Sequence, residues 1–115
     1  MEDKRKHSRT RTDNLVSYSC LDDEENELSQ GIGRTLNISQ GGLLLESHTP
    51  IETDRILITS VDIKNNLMEI NGKVVYCRES GPGIFHTGIR FLESNEKIRD
   101  IVINLIKVYS LQKNR

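Results

Sequence analysis

The sequence of residues 31–47 is GIGRTLNISQGGLLLES, and it decides the fold because it holds two strands and the turn between them. Apolar and polar side chains alternate with a period of two over residues 31–39, which predicts a half-buried strand. The apolar face holds Ile32, Leu36 and Ile38, and the polar face holds Thr35, Asn37 and Ser39. Gln40-Gly41-Gly42 predicts the turn, and GLLLES begins the next strand.

Four further segments carry strand patterns bounded by turn residues. Residues 14–21 alternate strictly and place Val16, Tyr18 and Cys20 on one face. The acidic stretch 22–30 has no apolar face and predicts an exposed hairpin tip. Pro50 predicts a break, Asn65-Asn66 predicts a tight turn, and Ser80-Gly81-Pro82-Gly83 predicts a loop. The predicted strands outside residues 31–47 are 14–21, 55–63, 67–78 and 84–92.

The apolar period changes after Ser94-Asn95, a pair that favours the start of a helix. Apolar side chains then recur at three- and four-residue spacing, which predicts a helix over residues 95–112. The stripe consists of Ile98, Ile101, Val102, Leu105, Ile106 and Tyr109. Such a helix needs a partner surface, because it cannot hold an apolar stripe in water alone. Six strands and this helix predict an all-β fold, a six-stranded antiparallel β-barrel with a C-terminal α-helix.

Length and composition favour one domain that spans residues 1–115. A chain of 115 residues is long enough for one core and leaves little room for a second. Ile and Leu dominate the apolar residues and Ala and Trp are absent, which favours a β-rich core. The predicted parts are a flexible basic arm (1–13), the barrel (14–92) and the helix (95–112).

The formal net charge is −1, but the charges are unevenly distributed. The arm carries Lys4, Arg5, Lys6, Arg9 and Arg11, and residues 22–27 carry five carboxylates. A basic arm on a nearly neutral protein favours a small anionic ligand over DNA or RNA. An RNA-binding barrel would also need aromatic side chains on a sheet face, and the chain has two Phe, three Tyr and no Trp.

Several other classes of function lack their motifs. Cys20 and Cys77 have no CxxC spacing, and His48 and His86 have no partners at ligand spacing, so neither a disulfide nor a metal is expected. The sequence holds no nucleophile elbow, phosphate-binding loop or catalytic carboxylate pair, so we expect neither an enzyme nor a cofactor. No secretory segment opens the chain and no apolar run approaches the roughly 18 residues of a membrane span. We expect a cytoplasmic protein without membrane insertion.

Two short motifs carry the candidate binding chemistry. The first, RKHSR, places Arg5 and Arg9 four positions apart on the arm. The second, NISQGG, places Asn37, Ser39 and Gly42 at the end of a predicted strand. A solvated basic tail would explain the first motif alone, and a plain turn would explain the second. The two together supply groups that can hold an anionic ligand containing guanine.

The order RxxxR followed by NxSxxG resembles the PilZ domain family, a bacterial receptor module for the second messenger cyclic di-GMP. Gly88-Ile89-Arg90-Phe91 is also similar to the pattern that ends the last strand in that family. The resemblance covers nearly the whole chain and implies the same barrel and helix. It implies cyclic di-GMP as the ligand and a defined set of ligand-binding residues: Arg5, Arg9, Asn37, Ser39, Gly41 and Gly42.

The side chains suit such a ligand, which carries two phosphates and two guanines. Arginine presents a planar fork of donors that matches phosphate oxygens and the O6/N7 edge of guanine. Asn37 and Ser39 lie two apart on a strand, so both are expected on the face away from the core. Gly42 has no Cβ, so its backbone is expected to approach the ligand closely. Arg34 and Arg90 are interpreted as surface charges of the barrel.

These features predict a receptor that changes conformation when cyclic di-GMP orders the arm across the barrel. The receptor would then signal to a downstream protein, which the sequence does not identify. The alternative is a PilZ-like adaptor that binds no nucleotide and acts through protein contacts. Such an adaptor would be expected to lack one of the motif residues, and this chain lacks none.

Overall fold

The computed structural model describes residues 8–113, which form six antiparallel strands closed into a barrel and one helix. The elements are β1 Thr10–Leu21, β2 Glu27–Ile38, β3 Gly42–Ser47, β4 Arg55–Val61, β5 Leu67–Gly81, β6 Ile84–Phe91 and α1 Asn95–Lys113. Strands pair in the order β1-β2-β3-β6-β5-β4, and β4 pairs with β1 to close the barrel. This confirms the predicted barrel with a C-terminal helix.

Strand β1 confirms the predicted alternation but begins earlier than expected. Val16, Tyr18 and Cys20 are all buried. The strand starts at Thr10, so residues 10–13 belong to the barrel and the predicted arm of residues 1–13 is too long. Residues 10–13 contain no apolar side chain, so the sequence pattern does not predict a strand there. The inward position is occupied by Thr12, whose buried hydroxyl donates to Thr35 Oγ1 at 3.0 Å.

Strand β2 contradicts part of the predicted pattern of faces. Ile38 is buried as expected, but Ile32 is 67% exposed and Leu36 is half-buried, while Thr35 is fully buried. The pairing of β2 with β3 contains a register shift, because Thr35 pairs with Leu45 and Asn37 with Leu44. The extra residue in this β-bulge reverses the inward and outward positions. One alternation therefore cannot describe the whole strand.

Aspartates shape the turns of the β1–β2 and β4–β5 hairpins. Asp22 Oδ1 accepts the N–H groups of Glu24 and Asn26, and Asp62 Oδ1 accepts those of Lys64 and Asn66 at 2.9 Å each. The hydrogen bond from the backbone N–H of Asn26 is the main reason that the pKa of Asp22 lies below its ordinary value. The first turn is shorter than the predicted tip of residues 22–30, because β2 begins at Glu27.

The remaining strand ends differ modestly from the prediction. The chain reverses near Asn65-Asn66 as predicted, but the turn is longer and spans residues 62–66. The Asn65 N–H donates to the Asp62 carbonyl oxygen at 3.0 Å, and Asn65 has a φ of 68°. β4 ends at Val61 instead of residue 63, and β5 runs to Gly81 instead of residue 78. The predicted loop of residues 80–83 therefore shrinks to a turn at Pro82 and Gly83, where Gly83 takes a φ of +71°.

Helix α1 ends at Lys113, one residue past the prediction, and packs on the barrel core through its apolar stripe. Ser94 caps it by accepting the N–H of Lys97 on its Oγ at 3.2 Å. Ile101 and Leu105 are fully buried. The buried Asn14 of β1 donates through Nδ2 to the carbonyl oxygen of Leu105 at 2.9 Å, which fixes the helix to that strand. Within residues 8–113, no helix has the length and apolar composition needed to cross a membrane.

Candidate ligand-binding site

Arg9 brings the two predicted motifs together. It lies just ahead of β1, whose first residues pair with the end of β2, so its side chain reaches the second motif. Arg9 Nε donates to Asn37 Oδ1 at 2.5 Å, and Nη1 lies 3.4 Å from Ser39 Oγ. The two motifs, far apart in sequence, thus share one hydrogen-bonded cluster. Arg5, the other predicted arginine, lies outside the described residues.

Ser39 has a structural function that the sequence pattern did not reveal. It is buried, whereas the predicted faces placed it away from the core. Its N–H donates to the carbonyl oxygen of Gly42 at 2.9 Å, and its Oγ accepts the N–H of Gly41 at 3.2 Å. Ser39 therefore holds the turn between β2 and β3 as well as contacting Arg9. Asn37 is half-buried, and neither of these two hydrogen bonds of the turn involves it.

Gly42 is required by the barrel itself. A Cβ at this position would lie 1.9 Å from the carbonyl oxygen of Ile89, which is too close for any side chain. The expected close approach of backbone at Gly42 is real, but the group that approaches is strand β6. Gly41 is exposed, and its carbonyl oxygen accepts the N–H of Phe91 at 3.0 Å. The turn is thereby fixed to β6.

An open cleft of about 460 Å³ lies beside this cluster, over the outer surface of β3, β5 and β6. The predicted residues Arg9, Asn37, Gly41 and Gly42 form part of its lining. The rest is lined by residues that sequence reasoning did not include among the binding residues: Leu43, Leu44, Val75, Tyr76, Gly88, Ile89 and Arg90. Cationic, amide and aromatic groups therefore converge on one concave surface.

Tyr76 is the aromatic group of the cleft and is unusually exposed. A Cβ on Gly88 would lie 2.3 Å from the Tyr76 ring, so the ring lies over this glycine. The pairing of β5 with β6 shifts register between Val74 and Tyr76, and this bulge lies where the ring projects outward. Arg78 lies 5.7 Å from the ring centroid, within the range of a cation–π contact. The sequence signal for the position of this ring is Gly88 in the GIRF motif, because a side chain there would collide with the ring.

Arg90 also lines the cleft, although its sequence position suggested an ordinary surface charge. It is exposed on β6 and pairs in register with Gly42 of β3 and Lys73 of β5. Arg90 therefore projects from the strand that abuts the Ser39–Gly42 turn. The cleft has an arginine from the N-terminal side and another from the barrel wall.

A second open cleft, of about 520 Å³, shares Arg9 and Asn37 with the first. It is also lined by Arg11 and Arg34, and by the carboxylates of Asp13 and Glu46. Arg34 Nε forms an ion pair with Asp13 Oδ1 at 3.1 Å, and Glu46 Oε2 lies 3.0 Å from His86 Nε2. The Arg9–Asn37 pair therefore separates two solvent-filled depressions. Residues 8–113 contain no cluster of His, Cys, Asp or Glu suited to a metal ion.

The structure combines three features: a closed six-stranded barrel, a C-terminal helix, and an arginine hydrogen-bonded to the Asn-Ser-Gly motif. A sequence model of the PilZ domain matches residues 3–107, which is most of the chain. The chain belongs to the PilZ domain family, as the two motifs predicted.

Solved structures share this fold at low sequence identity. The PilZ domain of CeSA from a cellulose-synthesising bacterium has 12% identity and a TM-score of 0.60, over 88% of this chain and 97% of that chain. The PilZ domain of YcgR from Escherichia coli, solved with cyclic di-GMP, has 12% identity and a TM-score of 0.59, over 98% and 99%.

The cyclic di-GMP complex of MrkH from K. pneumonia has 16% identity to this chain and a TM-score of 0.61. The alignment covers 99% of this chain but 55% of MrkH, so the chain spans about half the length of that protein. A comparison with curated proteins finds no match. At these identities the structural similarity establishes the fold alone.

Proposed function

We propose that this protein is a cyclic di-GMP receptor that signals to a downstream protein. The observation that carries the proposal is the contact of Arg9 with Asn37 and Ser39 at the edge of an open cleft. Two PilZ proteins of the same fold, YcgR and MrkH, have been solved with cyclic di-GMP, which supports the choice of ligand. We place the protein in the cytoplasm as part of this proposal.

The cleft offers a different contact for each chemical part of the ligand. Arg9 and Arg90 present guanidinium groups to the two phosphates or to the O6/N7 edge of guanine. Asn37 supplies a short amide that can bond a base edge. The exposed ring of Tyr76 can stack on a guanine, since base–aromatic stacking is favourable for every base. Arg5, four residues before Arg9, is proposed to close over the ligand from the other side.

The proposed signal is a change of surface. The segment ahead of β1 carries four of the five basic arm residues and no apolar side chain after Met1, so it cannot bury enough of its own surface to balance the entropy of ordering. A ligand with two phosphates supplies that free energy by meeting Arg5 and Arg9. The ordered segment then lies across the barrel and presents a surface for a downstream protein.

Calorimetric titration of the full chain with cyclic di-GMP tests the proposal. We expect a dissociation constant in the micromolar range or below, and far weaker binding of GTP and cyclic AMP, because mononucleotides lack the second guanine. GTP also controls for attraction between any polyanion and the basic segment. A flat titration at high micromolar ligand, with a folded protein, would favour the adaptor that acts through protein contacts alone.

A further inference from the structure

Lys73 of β5 and Arg90 of β6, which we call the cation pair, face each other across two neighbouring strands. They pair in register, so both side chains project from the same face of the sheet, and both are exposed. Like charges directly opposite each other in a sheet are destabilising. Within residues 8–113, neither side chain forms an ion pair or a hydrogen bond. The cation pair therefore costs stability unless an anion binds to both groups.

Other arginines of the barrel show how this fold compensates a cation. Arg34 contacts Asp13 and Arg55 contacts Glu25, each at 3.1 Å. Arg55 also pairs in register with Lys73, on the β4 side of β5, but its charge is compensated by the carboxylate that it contacts. The cation pair has no such carboxylate, which sets it apart from these two arginines.

The carboxylate of Glu93 does not compensate the cation pair, although it is held beside β5. Glu93 Oε2 accepts the backbone N–H of Asn71 at 2.8 Å and the side-chain amide of Asn71 at 3.1 Å, and it contacts Lys97 Nζ at 3.4 Å. This carboxylate is therefore engaged two residues before Lys73. The cation pair is open to an anion from outside the chain.

The cation pair borders the candidate cleft. Arg90 lines the cleft and pairs on its β3 side with Gly42, which has no side chain to separate the guanidinium from the cleft. Lys73 is the next residue along this row, and cross-strand partners have Cβ atoms about 4.5–5.5 Å apart. The long, flexible stem of Lys73 can therefore bring its Nζ to an anion that Arg90 holds.

A β-bulge places Lys73 and Tyr76 on the same face of the barrel. Residues three apart in a regular strand point to opposite faces. The pairing of β5 with β6 contains an extra residue between Val74 and Tyr76, because Lys73 pairs with Arg90 and Tyr76 pairs with Gly88. Positions 88 and 90 share one face of β6, so the aromatic ring and the cation pair share it too. A stacking surface for a base and two groups suited to a phosphate thus lie side by side.

We propose that Lys73 is a phosphate-binding residue, and that the cation pair binds one phosphate of cyclic di-GMP beside the guanine that stacks on Tyr76. The planar guanidinium and the mobile ammonium group can donate to different oxygens of the same phosphate. The Arg9 side of the cleft then holds the other half of the ligand. This inference rests on the proposed function and adds to it a residue that neither motif contains.

Calorimetric titration of the full chain with cyclic di-GMP, together with thermal unfolding of the same samples, tests the role of Lys73. Lys73→Gln should weaken binding by about tenfold, because it removes a charge-assisted contact to phosphate. It should not lower the melting temperature, since it also removes a like-charge contact. Lys73→Arg should keep most of the affinity, because it keeps the charge.

Lys64→Gln is the matched control, because it removes the same charge from the exposed turn that precedes β5. Its affinity should stay within about twofold of that of the unmodified chain. Unmodified binding by Lys73→Gln, or a loss of affinity matched by a fall in melting temperature, would overturn the role of Lys73 and leave the proposed receptor function intact. No binding by the unmodified chain would overturn both.

A double-mutant cycle tests whether the cation pair shares one phosphate. Arg90→Gln should also weaken binding, and the variant that carries both substitutions should lose less affinity than the two single losses added together, because each group depends on the other to hold the phosphate. Strictly additive losses would place the two cations on different parts of the ligand and would overturn the shared phosphate.

Discussion

At the scale of single residues, Arg9 decides whether the two motifs act as one site. Its position ahead of β1 brings it within reach of Asn37, and both residues border the two open clefts. A general basic tail would need no such specific partner. The guanidinium is therefore held in a defined place before any ligand arrives, which lowers the entropy lost when a phosphate binds.

We predict that Arg9→Ala and Arg5→Ala each weaken cyclic di-GMP binding by roughly 2–4 kcal/mol, the scale for truncating one partner of a hydrogen-bonded charge pair. Lys4→Ala, Arg11→Ala and, on the exposed face of the helix, Arg99→Ala should cost less than about 1 kcal/mol, since these charges act only through the screened field. Calorimetry on the five variants measures the difference. Equal losses at Arg5, Arg9, Lys4 and Arg11 would indicate a diffuse basic tail without a specific clamp.

Asn37 and Ser39 should respond differently to truncation, although they belong to one motif. Asn37→Ala should weaken ligand binding and leave the melting temperature almost unchanged, because Asn37 is half-buried and its amide contacts Arg9. Ser39→Ala should weaken binding and also lower stability by about 1 kcal/mol, because it removes the acceptor for the Gly41 N–H. Calorimetry and thermal unfolding of both variants test this. Unfolding of Asn37→Ala would mean that Asn37 is structural too.

Gly42 lines the cleft, but its stability effect tests the packing of β3 against β6. Gly42→Ala should destabilise the barrel by at least about 1–3 kcal/mol, because its Cβ would collide with the carbonyl oxygen of Ile89. Gly81→Ala is the matched control, since the nearest atom to its Cβ would be 3.9 Å away. Urea unfolding of both variants measures the difference. Similar free energies of unfolding for the two variants would show that β3 can move away from β6 without a loss of stability.

At the scale of elements, alternation predicted a strand wherever pairing is regular and failed where a bulge intervenes. The pattern of Val16, Tyr18 and Cys20 holds because the pairing of β1 is regular around them. Ile32 was placed in the core because nothing local in the sequence marks the bulge at Leu36. A bulge depends on how two strands align, and this alignment is a property of the whole barrel.

The same limit applies to the candidate site. The two short motifs predict that Arg9 and Asn37 belong to one site, but the hydrogen bond between them is seen only in the structure. Tyr76 and Arg90 were not included among the binding residues, because they reach the cleft through the pairing of β5 with β6 and β3 with β6. Side chains that join a site through long-range pairing leave little trace in a local pattern.

The β1–β2 hairpin should show a pH-dependent stability that originates in its turn. The pKa of Asp22 is lower in the folded protein, chiefly because the backbone N–H of Asn26 donates to its carboxylate. Its stabilising effect is therefore complete above the ordinary aspartate pKa of 3.8 and is lost as the pH falls through the folded value.

Asp22→Ala should accordingly lower the melting temperature at neutral pH, and its difference from the unmodified protein should narrow as the pH falls below 3.8. Asp23→Ala is the control, because it removes the same charge from the same turn and leaves the Asp22 hydrogen bonds intact. Thermal unfolding at several pH values tests the pair. A constant difference across this range would show that the charge of Asp22 contributes nothing to the turn.

At the scale of the whole molecule, β1 connects the cleft to the helix. Arg9 lies just ahead of this strand at the cleft, and Asn14 within it bonds the carbonyl oxygen of Leu105 in α1. The Thr12 hydroxyl and the backbone N–H of Asn14 both donate to Thr35 Oγ1, which fixes this part of β1 to β2. A displacement of Arg9 by a ligand would therefore act on a strand that also holds the helix.

Hydrogen exchange with and without cyclic di-GMP distinguishes two routes by which binding could reach a downstream protein. We predict that the ligand increases the protection of amides ahead of Thr10, because contacts of Arg5 and Arg9 with phosphate add ordering free energy to that of the hydrogen bonds that Arg9 already makes. Arg5→Ala should remove most of that gain even at saturating ligand, whereas Lys4→Ala should preserve it. If protection ahead of Thr10 is unchanged but the amides of α1 change, binding is transmitted through β1 and the Asn14–Leu105 hydrogen bond, and the helix is the element that a partner recognises.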